Sequence, residues 1–280
     1  MHYQDTLRVG AAQINSALVD VDANLERHLD IIADARASDI ELLVFPELSL
    51  TGYGVGSRVI DVAFPVADPR LAQLARATGD MQVVAGFVEE AGPGEYYNAL
   101  AILQEGTILA VHRKLNLPTY GGLEEGKWFT HGNELTHTQV RPGWSATQLI
   151  CADLWNPALV HAALLARPSV LCAPINSASG IVSEDFSNEQ NWALNVRFYA
   201  MTYGTPVIMA NRFGPEGASH FWGGSRILGP RGEPLAEAEN REMLLSAELS
   251  RTAIARARFE LPTHRDADTP LVRELMVGYR

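Results

Sequence analysis

The chain has 280 residues, with 22 Lys+Arg against 33 Asp+Glu, a formal net charge of −11 and a sequence pI of about 5.2. That acidic balance argues against nucleic acid or an anionic membrane as partner, because phosphate binding rests mainly on basic surface. Apolar residues at 47% and charged residues at 20% exclude wholesale disorder, and two cysteines cannot build a disulfide framework.

The length is ample for a large core. With no linker, internal repeat or low-complexity tract, the expectation is a single domain over residues 1–280. Residues 1–13 show no charged start followed by an apolar run, and no apolar stretch reaches membrane-spanning length. These features predict a reduced, cytoplasmic protein.

Leu7 to Gln13 (LRVGAAQ) reads as a first strand. A helix follows from about Asp22, with Leu25, Leu29 and Ile32 on one face. Leu42 to Phe45 forms a second strand, ended by Pro46. Asp68-Pro69 opens a helix carrying Leu71 and Leu74, stopped at Gly79. QVVAGFVE is a third strand, and ALAILQEGTILAVHRK gives two more joined at Glu105-Gly106.

From Lys114 to about Trp144 the chain reads as irregular, and a structureless stretch of that length is often functional. SATQLIC is a strand running into Cys151, after which Asn156-Pro157 opens a helix through Leu165. VLCAP is a buried strand, and Ser187 with Gln190 fits a capping box for a helix ending at Gly204. PVIMAN, SRILG and MLLSAEL are further strands, and Ser250 caps a last helix. The strands are apolar at consecutive positions, so both faces should be covered, which points to a layered α/β fold with mixed sheets.

Glu47, Lys114 and Cys151 share one context: each follows an apolar strand. Ligands bind beyond the carboxyl ends of strands in open α/β sheets, so a common strand direction would gather the three in one pocket. A carboxylate can take a thiol proton and return it to a leaving amine, and an ammonium can hold the oxyanion. The three therefore suffice for covalent hydrolysis of an amide-like C–N bond without metal or cofactor. Cys172 reads as buried core, and His161 reads as lying on a helix and facing away from Cys151. The histidines lack zinc-ligand spacing, and the glycine-rich stretches match no nucleotide-binding fingerprint.

FPELSLTGY (Phe45 to Tyr53), HRKLNLPTYGGLEEGKWF (His112 to Phe129) and LICADLWNP (Leu149 to Pro157) resemble the three catalytic blocks of the nitrilase or carbon–nitrogen hydrolase superfamily. AAQIN, ANRFG and FWGGSRILGPRGE extend that resemblance over nearly the whole chain. It implies a four-layer α-β-β-α sandwich with Glu47 as general base, Lys114 as oxyanion stabiliser and Cys151 as nucleophile. The Ala152 backbone N–H would be a second oxyanion donor. Glu125, rather than the adjacent Glu124, would be an accessory carboxylate holding Lys114. Tyr53, Trp155 and Asn176 would line the pocket.

Relatives with this type of block commonly carry an acidic residue where this chain has Ala152, which bears on substrate subclass. The resemblance further implies a small-molecule amide as substrate and a homodimer or higher homo-oligomer paired through the helix layer. The expected activity is amide hydrolysis through a Cys151 thioester, with a nitrilase or N-carbamoyl amide hydrolase as the alternative. A non-catalytic binding protein on the same scaffold is the alternative of another class.

Overall fold

In the computed structural model, which describes residues 4–278, the apolar runs become strands covered on both faces. In chain order these are β1 (Thr6–Gln13), β2 (Leu42–Val44), β3 (Gln82–Gly92), β4 (Glu95–Gln104), β5 (Thr107–Arg113), β6 (His137–Arg141), β7 (Trp144–Gln148), β8 (Val170–Ile175), β9 (Val207–Asn211), β10 (Phe213–Glu216), β11 (Ser219–Trp222), β12 (Arg226–Leu228), β13 (Pro234–Glu237) and β14 (Met243–Ser250). One six-stranded sheet has the order β14-β1-β2-β3-β4-β5 and the other β13-β12-β9-β8-β7-β6, while β10 and β11 form a separate hairpin. Both sheets are mixed: β1, β2 and β3 run parallel, as do β7, β8 and β9, and the outer pairs are antiparallel.

Alternation along each strand sorts the core into three layers. Leu42, Val44, Leu100 and Ile102 of the first sheet pack with Ala146, Val170, Cys172 and Ile208 of the second. Leu43, Phe45, Val83 and Phe87 instead face the helices Val21–Ala37 and Pro69–Ala77, meeting Leu25, Ile32, Leu71 and Leu74. On the far side, Leu171, Ala173 and Met209 meet Val160 and Leu164 of the helix Pro157–Leu165 and Trp192 and Val196 of the helix Asn188–Tyr203. The result is the expected α-β-β-α sandwich. Each large apolar side chain so buried contributes about 1.5–3 kcal/mol. No helix among the described residues is long and apolar enough to cross a membrane.

The predicted N-caps form, although at Ser187 only the hydroxyl's half of the expected capping box is present. Asp68, Asn156, Ser187 and Ser250 each accept a backbone N–H in the first turn of their helices, and the helix Asn188–Tyr203 stops at Gly204. Several details differ from the sequence reading. The strand expected to reach Cys151 ends at Gln148, because the Asp153 carboxylate takes the Ile150 N–H (2.9 Å) and Asp153 N–H donates to Ile150 O, turning the chain. The stretch expected to be irregular holds β6, an edge strand with only Val140 buried, and a helical turn, Glu125–Trp128. Its weak alternation hid it. The β10–β11 hairpin carries few buried side chains and left no periodic trace. The Ser250-capped helix is not the last: Thr263–Asp266 and Thr269–Val277 follow, the latter capped by Asp268 with Pro270 in its first turn.

The strand directions set up the site. β5 is antiparallel to β4, which is antiparallel to β3, so β5 points the same way as β2. Glu47 and Lys114 follow the ends of β2 and β5, while Cys151 and Asn176 follow the ends of β7 and β8. The turn bearing Glu47 lies on β3: Leu50 N–H donates to Gly86 O (2.9 Å), and Gly86 N–H donates to Ser49 Oγ (3.2 Å). A Cβ on Gly86 would stand 2.3 Å from Leu48 N and 2.7 Å from Pro46 O, and both are backbone atoms that cannot swing aside. Gly86→Ala is therefore expected to destabilise the protein by about 1–3 kcal/mol through overpacking. Urea denaturation measures this, and an unchanged midpoint would contradict it.

Candidate active site

Glu47, Lys114 and Glu125 meet in a buried cluster. Lys114 Nζ donates to Glu47 Oε1 at 2.6 Å and to Glu125 Oε1 at 2.7 Å. All three side chains are at most 5% exposed. Burial alone would pull the Lys114 ammonium down, but Glu125 and Glu47 outweigh it and hold its pKa well above the usual lysine value. Glu125 goes the other way. Burial pushes its carboxyl up to about 7, against the pull of Lys114. Glu124 is exposed and pairs with Lys127 at the surface (3.8 Å), so the cluster takes Glu125 and not its neighbour.

Local contacts fix each member. Asn98 donates from Nδ2 to Glu47 Oε1 (2.7 Å), and its carbonyl accepts the Lys114 N–H (2.8 Å), so one residue of β4 ties both neighbours. Tyr53 Oη donates to Glu125 Oε1 (2.7 Å). Asn176 Nδ2 donates to the Glu47 carbonyl (2.8 Å). Glu47 Oε2, Glu125 Oε2 and Asn176 Oδ1 are buried with no protein partner.

Cys151 opens a short 3-10 turn, Cys151–Trp155, with φ of 44°. A left-handed backbone at a non-glycine residue is strained and persists only where its surroundings enforce it. Asp153 enforces it here. Its carboxylate accepts the Ile150 N–H on one oxygen and those of Leu115 (3.1 Å) and Asn116 (2.7 Å) on the other. Asn116 Nδ2 in turn donates to the Ala152 carbonyl (2.9 Å). The cysteine turn and the segment after Lys114 are thereby stapled together. Burial, reinforced by Glu47, pushes the Cys151 thiol pKa well above its usual value, while Lys114 and the Asn176 backbone N–H draw it down. The balance favours the thiol over the thiolate.

Cys151 opens onto a cavity of about 180 Å³. Tyr53, Ala152, Trp155 and Asn176 line it with Cys151, so all eight sequence-predicted residues gather at the cluster or its cavity. Two loops roof it. Gly122 N–H donates to Ile181 O (2.8 Å), and at Gly121 (φ 58°) a Cβ would lie 2.5 Å from the carbonyl oxygens of Ile181 and Val182. His161 lies elsewhere, bonded to Tyr203 Oη (2.8 Å), and Cys172 is buried between the sheets, its thiol pushed up to about 12 by burial.

Sequence reading passed over several contributors. Asn98 stands out as a polar residue inside the apolar run YYNALAIL, and Asp153 as a carboxylate in LICADLW. Arg212, 1% exposed, pairs with Glu216, which accepts the backbone N–H groups of Tyr53 (3.2 Å) and Gly54 (2.7 Å) and so sets the Tyr53 loop. No local pattern marks that pair, because the loop it holds is remote in sequence. No group of His, Cys, Asp and Glu among the described residues has the arrangement of a metal site.

Comparisons with known proteins identify the family and the fold. Residues 8–259 match the family described as carbon–nitrogen hydrolase. The glutamine-dependent NAD(+) synthetase of Thermotoga maritima is 30% identical over 81% of this chain, which spans only 39% of that relative's length. The N-carbamoylputrescine amidase of Arabidopsis thaliana is 26% identical, with 92% of this chain and 91% of the relative covered. Among solved structures, the carbon–nitrogen hydrolase from Helicobacter pylori G27 superposes with a TM-score of 0.85 at 25% identity, covering 97% of this chain and 98% of that one. A glutamate-to-glutamine mutant of the amidase from Nesterenkonia sp. AN1 carries the acetamide moiety of fluoroacetamide added covalently at its active-site cysteine; it superposes with a TM-score of 0.82 at 25% identity, covering 96% and 97%. The chain belongs to the carbon–nitrogen hydrolase family, in the nitrilase superfamily.

Proposed function

We propose that the protein is a thiol amidase that cleaves the C–N bond of a small carboxamide through a Cys151 thioester. The observation that carries this reading is the buried Lys114 ammonium, held by Glu47 and Glu125 beside a thiol on a strained turn. Because burial and Glu47 favour the protonated sulfur, its proton has to leave as it attacks, which needs an adjacent base. Glu47 takes that proton while sulfur bonds to the carbonyl carbon. Lys114 and the Ala152 backbone N–H hold the oxyanion. Collapse breaks the C–N bond, and Glu47 returns the proton to the leaving nitrogen as ammonia. A water deprotonated by Glu47 then adds to the thioester, frees the acid and restores the thiol. Glu125 keeps Lys114 in place.

An unpartnered acceptor in the cavity favours an amide over a nitrile. Asn176, which lines the cavity, carries a buried Oδ1 with no donor. A carboxamide brings two N–H groups and a nitrile none, and an unmade buried hydrogen bond costs about 1–3 kcal/mol. A cavity of about 180 Å³ also lies below the roughly 300–1,000 Å³ of sites for drug-sized ligands, which supports a small substrate.

Intact-mass analysis after rapid quench with butyramide should find an acyl adduct on Cys151, none in Cys151→Ala, and none with butyronitrile. An adduct from the nitrile alone would favour a nitrilase, and full turnover by Cys151→Ala would refute the mechanism.

Glu125 gives the reading a pH signature. Its folded pKa of about 7 lies above the ordinary 4.5, so its contribution to stability is full below about 4.5 and is lost as pH rises through about 7. Glu125→Gln cannot ionise and escapes that loss. Between about pH 5 and pH 8, the stability of the variant relative to wild type should rise by up to about 3 kcal/mol. Melting curves across that range measure it, and a difference independent of pH would contradict it.

A further inference from the structure

We propose that the acyl seat beside Cys151 admits only uncharged, apolar acyl groups, no larger than a single ring or a short branched chain. This rests on the amidase reading above and names its substrate class. None of the residues lining the cavity, among those described, is Asp, Glu, Lys, Arg or His. Its walls are Tyr120, Leu123, Trp155, Val182, Phe186 and Trp192. The indole of Trp155 stands edge-on to both Trp192 (5.0 Å, 66°) and Phe186 (5.8 Å, 70°), which makes a rigid aromatic corner. The polar side chains present are neutral, and Ser177 Oγ is already engaged by Asn188 Nδ2 (3.2 Å) and Trp222 Nε1 (3.2 Å).

The charged groups nearby are committed to one another. Lys114, Glu47 and Glu125 pair together and serve the scissile end. An acyl tail ending in an ammonium or carboxylate would have to shed its water with no countercharge in reach, and an ion buried unpaired is strongly disfavoured. Glu184 and Asp185, on the roof loop, are exposed, so a charge that reached them would remain in water, where ion pairs contribute little. Size sets the upper limit. A dry apolar cavity of about 150 Å³ holds a benzene ring, and this one measures about 180 Å³.

The inference separates this chain from two of its relatives by their named ligands. Glutamine carries an α-ammonium and an α-carboxylate, and N-carbamoylputrescine ends in an ammonium. Neither finds a countercharge in this seat, whose unpartnered acceptors, Asn176 Oδ1 and Asn188 Oδ1, are neutral. The roof seam at Gly121 and Ile181 brings Val182 over the cavity, which makes Val182 a specificity-determining position.

The test uses three amides on the same five-carbon frame: valeramide, 5-aminovaleramide and glutaramate, whose tails end neutral, cationic and anionic. Binding is measured by calorimetry on Cys151→Ala protein, and turnover on wild type by ammonia release. Valeramide should bind and be turned over at least about a hundredfold better than either charged amide. Val182→Asp, checked for folding by its melting curve, should raise 5-aminovaleramide relative to valeramide at least about tenfold.

Equal or tighter binding of a charged amide, or no binding of valeramide, would overturn the inference. Selective binding of valeramide without turnover by wild type would instead sink the amidase reading and leave the seat's selectivity standing.

Discussion

One ammonium organises this protein's functional end. Lys114 Nζ lies within 2.7 Å of two carboxylate oxygens from distant parts of the chain, and none of the three side chains has more than slight access to water. Removing one partner of such a buried set leaves an uncompensated charge and costs about 3–5 kcal/mol, whereas the intact set contributes little net stability. The cluster is therefore weak as a stabilising device. What it does is hold a carboxylate and a cation in fixed positions beside a thiol.

The rest of the fold serves that placement. Two sheets packed face to face bring the ends of β2, β5, β7 and β8 to one edge, so residues more than a hundred positions apart share a cavity. Fixing these groups beforehand removes the entropy of gathering them during reaction. Short polar contacts then hold each piece in register. Asn98 joins Glu47 to the Lys114 backbone, Asp153 staples the cysteine turn to the segment after Lys114, and Arg212 with Glu216 holds the loop of Tyr53. Gly86 lets the Glu47 turn lie directly on β3.

Much of this was legible in the sequence, for identifiable reasons. Strands such as Leu42–Val44 and Val170–Ile175 are apolar at every position because both faces are covered, and that pattern needs no tertiary knowledge. Caps at Asp68, Asn156 and Ser250 were readable because the side-chain oxygen and the backbone N–H that donates to it lie within one turn. Glu47, Lys114 and Cys151 shared a context at strand ends. β6 and the β10–β11 hairpin were not legible, since an edge strand with one buried side chain and a hairpin outside the main sheets leave little periodicity. The contacts of Asp153 and Arg212 escaped for another reason. Each bonds to backbone groups dozens of positions away or more, and backbone acceptors and donors are not encoded by residue type.

The account stands on the Lys114 ammonium tuning the Cys151 sulfur. The most direct measurement is the rate of Cys151 alkylation by iodoacetamide near neutral pH in wild type and in folded Lys114→Met. Cys172 is fully buried, so the rate reports Cys151 alone. The account predicts a loss of at least about tenfold, since the cation that draws down the thiol pKa is gone and Glu47 and Glu125 are left to repel a thiolate. An unchanged rate in the variant would contradict it.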